Sequence, residues 1–189
     1  KREESVRKHI DAIDVIHIGM DFNLDPMSAV LMTRKGDTMH VFDEIVMFGS
    51  NTDEMVEEIR ARYSKARGII IYPDPASRQR KPSAGGRTDL SILQNAGFEV
   101  RVRNSHAAIR DRINAVNARL LSKEGQRRLY VDPKCKKVIE SLERHTYKEG
   151  TSQPEKDGFD HMNDALGYAV EYLFPIRKAH ATVQPQRWT

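Results

Sequence analysis

Apolar positions divide the chain into two regimes: short runs as far as residue 102, then recurrence at helical spacing. Residues 14–22 (DVIHIGMDF) are rich in Val and Ile and read as a buried strand. Residues 28–33 predict a second strand, Lys35-Gly36-Asp37 a turn, and residues 38–47 a third strand. Three strands with short connections make an antiparallel meander. Asn51 or Thr52 then caps a helix reaching Lys65, with Met55, Val56 and Ile59 on one face and Gly68 beyond its end. Residues 68–72 (GIIIY) are wholly apolar and bounded by Gly and Pro, the pattern of a central parallel strand. Residues 73–87 form an irregular polar loop, residues 89–95 a short helix closed by Gly97, and residues 98–102 a fifth strand. Ile109, Ile113, Val116 and Leu120 mark a helix over 107–121, and residues 129–131 have the composition of one more short strand. Residues 134–144 predict a helix with Pro133 at its start, 149–157 a polar loop and 160–173 a final helix.

This succession predicts an α/β domain, a mixed central sheet of about five strands flanked by helices. The order βββαβαβα is the plan of the ribonuclease H-like fold. With 189 residues, 39% hydrophobic and 31% charged, the chain suits one domain around a single core. No apolar run approaches the ~20 residues that span a bilayer, and residues 1–10 carry no signal-peptide core. The single cysteine, Cys135, excludes an intrachain disulfide and points to a reducing cytosol. A lone cysteine is a packing residue more readily than a nucleophile.

Charge adds a direction. The net charge is +4, which favours an anionic partner. Its distribution tells more. Arg78, Arg80, Lys81 and Arg87 share one Gly/Ser/Pro-rich stretch, and Arg101, Arg103, Arg110, Arg112 and Arg119 follow, while acids concentrate between Asp43 and Glu58. A segregated basic segment is what a phosphate-binding face looks like, and equally what a solvated surface looks like.

The acids at strand ends narrow the choice. Asp21 closes the first strand, in Gly19-Met20-Asp21-Phe22-Asn23, and Asp74 follows the fourth, in Ile71-Tyr72-Pro73-Asp74-Pro75. If those strands are neighbours, both carboxylates emerge at one edge of the sheet. Asp164 lies on the final helix, whose Ala165, Leu166, Ala169 and Val170 mark it as inward-facing. Three carboxylates converging there would form a hard oxygen cage for Mg²⁺ or Mn²⁺. They would repel one another without a cation. Two such ions about 3.5–4 Å apart can activate a water and stabilise the leaving oxygen of a phosphodiester. Asp160 and His161 share a helix face with Asp164, so Asp160 is a further candidate ligand and His161 a candidate orienting or proton-handling group. Each acid also has a structural role open to it: Asp21 and Asp74 as turn or cap residues, Asp164 as a surface charge. Glu44 is a candidate auxiliary acid, Ser83 with Gly85-Gly86 a flexible loop that could approach a phosphate backbone, and Trp188 a docking residue in the tail.

The run Asp160-His161-x-x-Asp164-Ala165-Leu166-Gly167-Tyr168 is similar to the C-terminal signature of viral terminase large subunits, (N/D)-H-x-x-D-A-x-R-Y. Gly19-Met20-Asp21-Phe22 resembles that family's first acidic strand, and Tyr72-Pro73-Asp74-Pro75-Ala76 its second. The likeness spans residues 14–174. Gly167 departs from it, standing where Arg is frequent. The resemblance implies a ribonuclease H-like nuclease of the bacteriophage DNA-packaging machinery. Asp21, Asp74 and Asp164 would hold two divalent ions, with His161 as accessory, and cut double-stranded concatemeric DNA with little sequence preference. Arg78, Arg80, Lys81 and Arg87, together with residues 134–137, would hold phosphates. It further implies an ATPase domain before Lys1, with residues 1–13 as linker, residues 14–174 as nuclease domain and residues 175–189 as basic tail. The small terminase subunit and the portal protein would be partners, and the host cytoplasm the location. No G-x-x-x-x-G-K-[ST] phosphate loop is present, so the apolar strand ending at Asp74 is not read as part of an ATPase. Two other readings stay open: a junction resolvase or transposase-like nuclease of the same fold, and a non-catalytic DNA-binding or assembly module.

Overall fold

Strands β1 (Val15–Asp21), β2 (Met27–Lys35) and β3 (Thr38–Met47) form the antiparallel meander that the alternating segments predict, with Gly36 at positive φ in the tight β2–β3 turn. The computed structural model describes residues 15–23, 25–79, 87–105, 107–151 and 153–176. The apolar strand β4 (Gly68–Pro73) lies parallel to β1 on its other side, and β5 (Glu99–Val100) lies parallel to β4. The short run 129–131 becomes β6 (Leu129–Val131), parallel to β3, so the mixed sheet has six strands among the described residues, in the order β5-β4-β1-β2-β3-β6.

Helices α1 (Thr52–Tyr63), α2 (Asp89–Asn95), α3 (Ile109–Leu120), α4 (Lys136–Arg144) and α5 (Asp160–Leu173) flank this sheet among the described residues. Asn51 caps α1, its side chain accepting from the Glu54 N–H while the Glu54 carboxylate accepts from the Asn51 N–H. Thr88 and Ser91 close the same reciprocal box at α2.

Three local features differ from the sequence reading. The fifth strand is shorter than residues 98–102. After Val100 the Arg101 N–H donates once more to Ile71 O, and the Val102 and Arg103 carbonyls then accept from the Arg78 guanidinium. The loop after Asp74 opens with one turn of 3-10 helix, Pro75–Arg78. Pro133 does not begin α4; it lies in the preceding turn, where the Lys134 N–H donates to Asp132 Oδ1. The open N-terminus of α4 is met instead by Glu44, whose carboxylate accepts from the Lys137 and Val138 N–H groups at 2.9 and 2.8 Å. That contact gives Glu44 a capping role.

The sheet divides the core in two. Ile16, Ile18 and Met20 of β1 alternate onto the face covered by α1 and α2, where they meet Leu31, Phe42, Met55, Ile59 and Leu93. The other face holds Val30, Met32, Val41, Ile70 and Tyr72 against α3, α4 and α5, through Ala115, Val138, Leu166 and Val170. Each large side chain buried this way contributes about 1.5–3 kcal/mol of transfer free energy. Gly19 sets the closest approach between the layers. A Cβ there would stand 1.9 Å from the Ala165 carbonyl oxygen and 3.3 Å from the Ala169 methyl. Only glycine lets α5 lie directly on β1 at that point.

Candidate active site

Two adjacent strand ends create the site. In the parallel register of β1 and β4, Met20 faces Pro73, and the Asp74 N–H donates to Met20 O at 3.1 Å. The residues that follow, Asp21 and Asp74, therefore leave the sheet side by side at its carboxyl edge, where ligands of open α/β sheets are bound. Asp21 is on the same face of β1 as Gly19, the face against α5, and Asp164 immediately precedes the Ala165 that touches Gly19. The close packing at Gly19 thus fixes the strand acid and the helix acid relative to one another.

Asp21 is 3% exposed. Burial, followed by the repulsion of Asp164, pushes its carboxyl up to about 6, against the opposing hydrogen bonds from His161 and Asn23. Its Oδ2 accepts from Asn23 Nδ2 at 2.8 Å and lies 3.1 Å from His161 Nδ1. One proton between Asp21 Oδ2 and His161 Nδ1 satisfies both atoms whichever holds it. On the far side of the ring, His161 Nε2 is 3.8 Å from Asp160 Oδ1, a buried oxygen with no hydrogen-bond partner among the described residues.

Asp74 and Asp164 are held by different groups. Asp74 Oδ1 accepts from the Ala76 N–H at 2.8 Å, capping the 3-10 turn, and Oδ2 accepts from the Tyr168 hydroxyl at 2.9 Å. Burial and the nearby Asp74 and Asp164 push the Tyr168 hydroxyl well above the usual phenol range, so it stays a donor. Asp164 Oδ1 accepts from Arg112 Nη2 at 2.5 Å, and that guanidinium lies over the Tyr168 ring, 4.6 Å from its centroid. The site is therefore two linked arms, Asn23–Asp21–His161–Asp160 and Asp74–Tyr168–Arg112–Asp164, joined by the repulsion between Asp21 and Asp164. Among the described residues no group of three or more His, Cys, Asp or Glu side chains is close enough to hold a metal ion. The donor chemistry nevertheless suits a hard cation: carboxylate oxygens, one pushed up by burial and a like charge, and one buried without a partner.

Arg112, Tyr168 and Asn23 join the site without having been singled out for it by sequence reasoning. Arg112 has a signal, lying four residues before Val116 on the apolar face of α3, where a cation requires a partner. Tyr168 lies one turn after Asp164 and so shares its face. The basic candidates are placed less uniformly. Arg78 donates to the Val102 and Arg103 carbonyls and to Asn104 Oδ1. Arg87, half-exposed, forms a two-pronged pair with Asp53 at 3.0 and 3.3 Å. Arg80, Lys81, Ser83, Gly85, Gly86 and Trp188 lie outside the described residues. Cys135 is buried and its thiol is pushed up to about 12 by burial, in keeping with a packing role.

This is the architecture of a ribonuclease H-like nuclease domain: an antiparallel meander extended by parallel strands, with acids at the carboxyl edge and a helix laid across it. A family described as the terminase RNaseH-like domain matches residues 18–173, and the chain belongs to that family. Among solved structures it is similar to the large terminase of a thermophilic bacteriophage, at 19% identity and TM-score 0.65, over 86% of this chain and 40% of that one. It is also similar to the nuclease domain of the P22 large terminase (18% identity, TM-score 0.62, 85% of this chain and 82% of that one). A third match is the bacteriophage SPP1 large terminase nuclease domain with bound Mn (16% identity, TM-score 0.59, 87% of this chain and 89% of that one). Curated protein sequences give no match. The chain spans about 40% of the length of the thermophilic phage protein it matches.

Proposed function

We propose that this chain is the divalent-metal-dependent endonuclease of a bacteriophage DNA-packaging machine, cutting double-stranded concatemeric DNA with little sequence preference. The observation that carries the reading is the emergence of Asp21 and Asp74 from neighbouring strand ends opposite Asp164 on α5. Related nuclease domains were crystallised with Mn, Mg and Co, which supports a divalent ion here. Asp21, Asp74 and Asp164 would hold two ions of Mg²⁺ or Mn²⁺, with Asp160 as a further oxygen donor. Bound there, such ions supply a polarised water and stabilise developing negative charge on the phosphodiester. The chain's own groups do the rest. Asn23 and His161 orient Asp21; His161 can hold or release a proton at Nδ1; Tyr168 fixes Asp74 through its hydroxyl. Arg78, Arg80, Lys81 and Arg87, with residues 134–137, would hold phosphates, interactions that position DNA without reading it. The exposed Arg87–Asp53 pair is no barrier, since such pairs are worth only about 0–1 kcal/mol.

In the whole protein, an ATPase domain would precede residues 1–13, with the small terminase subunit and portal protein as partners and residues 175–189 as a basic tail. No helix among the described residues is long and apolar enough to cross a membrane, and the host cytoplasm is the proposed location. The lack, among the described residues, of any group of three or more acids or histidines close enough to hold a metal favours one rival, a non-catalytic DNA-binding or assembly module whose acids are structural. Crystals soaked in millimolar Mn²⁺ separate the two. The nuclease reading expects anomalous density bridging Asp21 and Asp74; an acid edge without density supports the module.

A further inference from the structure

Arg112 is an unusual residue where it stands. It lies in the first turn of α3, where a cation opposes the helix dipole. It is also 6% exposed, and arginine is rarely buried so deeply without a firm partner. Its stem reaches the site through a slot in the neighbouring helix. A Cβ on Gly167 would stand 2.6 Å from Arg112 Cγ, 2.9 Å from Cδ and 3.3 Å from Nε. Glycine in mid-helix is intrinsically unfavourable, so the slot is retained against local preference, as is the cation at the helix start. What the two concessions obtain together is one contact, Arg112 Nη2 on Asp164 Oδ1 at 2.5 Å, with the guanidinium over the ring of Tyr168, which holds Asp74. Arg112 Nε is buried without a hydrogen-bond partner among the described residues, so the side chain is positioned for its Asp164 contact rather than for full satisfaction of its own donors.

We propose that Arg112 is a positioning residue that serves as an internal counter-ion. It holds the Asp164 carboxylate in the metal-free protein and competes with a divalent ion for it, and Gly167 is the slot that admits it. The inference rests on the reading of Asp164 as a metal ligand. It also accounts for the departure at position 167: a side chain there and the Arg112 stem cannot occupy the same space. A divalent ion taking Asp164 Oδ1 would displace the guanidinium, and the opening lined by Ile113, Asn117, His145 and Asn163, which borders both Arg112 and Asp164, offers it room.

The test is calorimetric titration of the intact chain with Mn²⁺, which needs no DNA and no turnover. Arg112→Met keeps the stem and removes the charge, and should bind Mn²⁺ about tenfold more tightly than the parent, as expected when a cation is removed beside a divalent site. Arg112→Lys should fall between the parent and Arg112→Met, because the positive charge returns without the guanidinium's stacking and fork geometry. Gly167→Ala provides an independent route if the Arg112 variants fold poorly. It leaves every charge in place but displaces the stem, and should likewise tighten Mn²⁺ binding. Asp164→Asn separates the two claims. If it binds Mn²⁺ as the parent does, the metal-ligand reading fails. If it weakens binding while folded Arg112→Met and Gly167→Ala bind as weakly as the parent or more weakly, the counter-ion inference is overturned and the ligand reading stands.

Discussion

Single residues show how the acids at this edge are held apart. Carboxylates gathered at one edge would all repel without a cation, but the structure splits them. Asp164 is neutralised by Arg112 and Asp74 is bonded to Tyr168, while Asp21 keeps the strain, with its carboxyl pushed up to about 6. The consequence has a definite sign. A carboxyl raised in the fold favours its neutral form, so its contribution is present below the unfolded value near pH 4 and is lost as pH rises through about 6. Above that, ionised Asp21 costs the metal-free protein about 3 kcal/mol, from a rise of roughly two pH units. Asp21→Asn should therefore be more stable than the parent at pH 8 by up to that amount and no more stable at pH 4, as measured by denaturant unfolding in EDTA. The same stability difference at both pH values would show that Asp21 is not strained. Asp164→Asn should behave in the opposite way at pH 8 and lose stability, because it leaves the buried Arg112 guanidinium without its counter-charge.

At the scale of elements, the decisive device is the contact between β1 and α5. Gly19→Ala would place a methyl group into the Ala165 carbonyl, and the helix would have to lift from the strand it lies on. We expect a loss of about 3 kcal/mol, at the upper end of ordinary overpacking because the obstacle is backbone, together with loss of the register between Asp21 and Asp164. Chemical denaturation of Gly19→Ala within about 0.5 kcal/mol of the parent would refute this, since that is the range of harmless surface changes. The elements themselves are legible in the sequence. β3, α2 and α5 follow the pattern to the residue, because alternation, a Thr/Ser capping box and an inward stripe of small and apolar residues each specify one structure. Where pattern and structure part, a long-range partner replaces a local signal. Glu44 caps α4 from a different strand, 93 residues from the N–H it accepts, so the start that Pro133 suggests is set instead by a turn and a distant carboxylate. Arg112 reads as part of a basic run because charge counts do not distinguish an exposed arginine from one whose stem passes over a glycine 55 residues later. The strand ends and the helix signature point to Asp21, Asp74 and Asp164, and His161 lies near Asp21 as an orienting group would; the Arg112–Asp164 pair has no such sequence signal, because it exists only once α3 and α5 are packed together.

For the whole molecule, a net positive chain carries an acidic sheet edge, the combination that the proposed nuclease role requires. Arg78 ends the 3-10 turn that follows Asp74, and Arg80 and Lys81 come next in the sequence. Replacing Arg78, Arg80 and Lys81 together by Ala should lower the slope of log affinity against log salt by about one unit for each phosphate no longer bound. An unchanged slope would place the DNA-binding face elsewhere on the chain. The central claim is that the carboxyl edge is a metal-dependent nuclease site, and plasmid cleavage tests it most directly. Supercoiled DNA incubated with the purified chain should be nicked and linearised in Mn²⁺ or Mg²⁺, left intact in excess EDTA, and left intact by Asp74→Asn under every condition. Cleavage that persists in EDTA, or that Asp74→Asn carries out as well as the parent, would contradict the account.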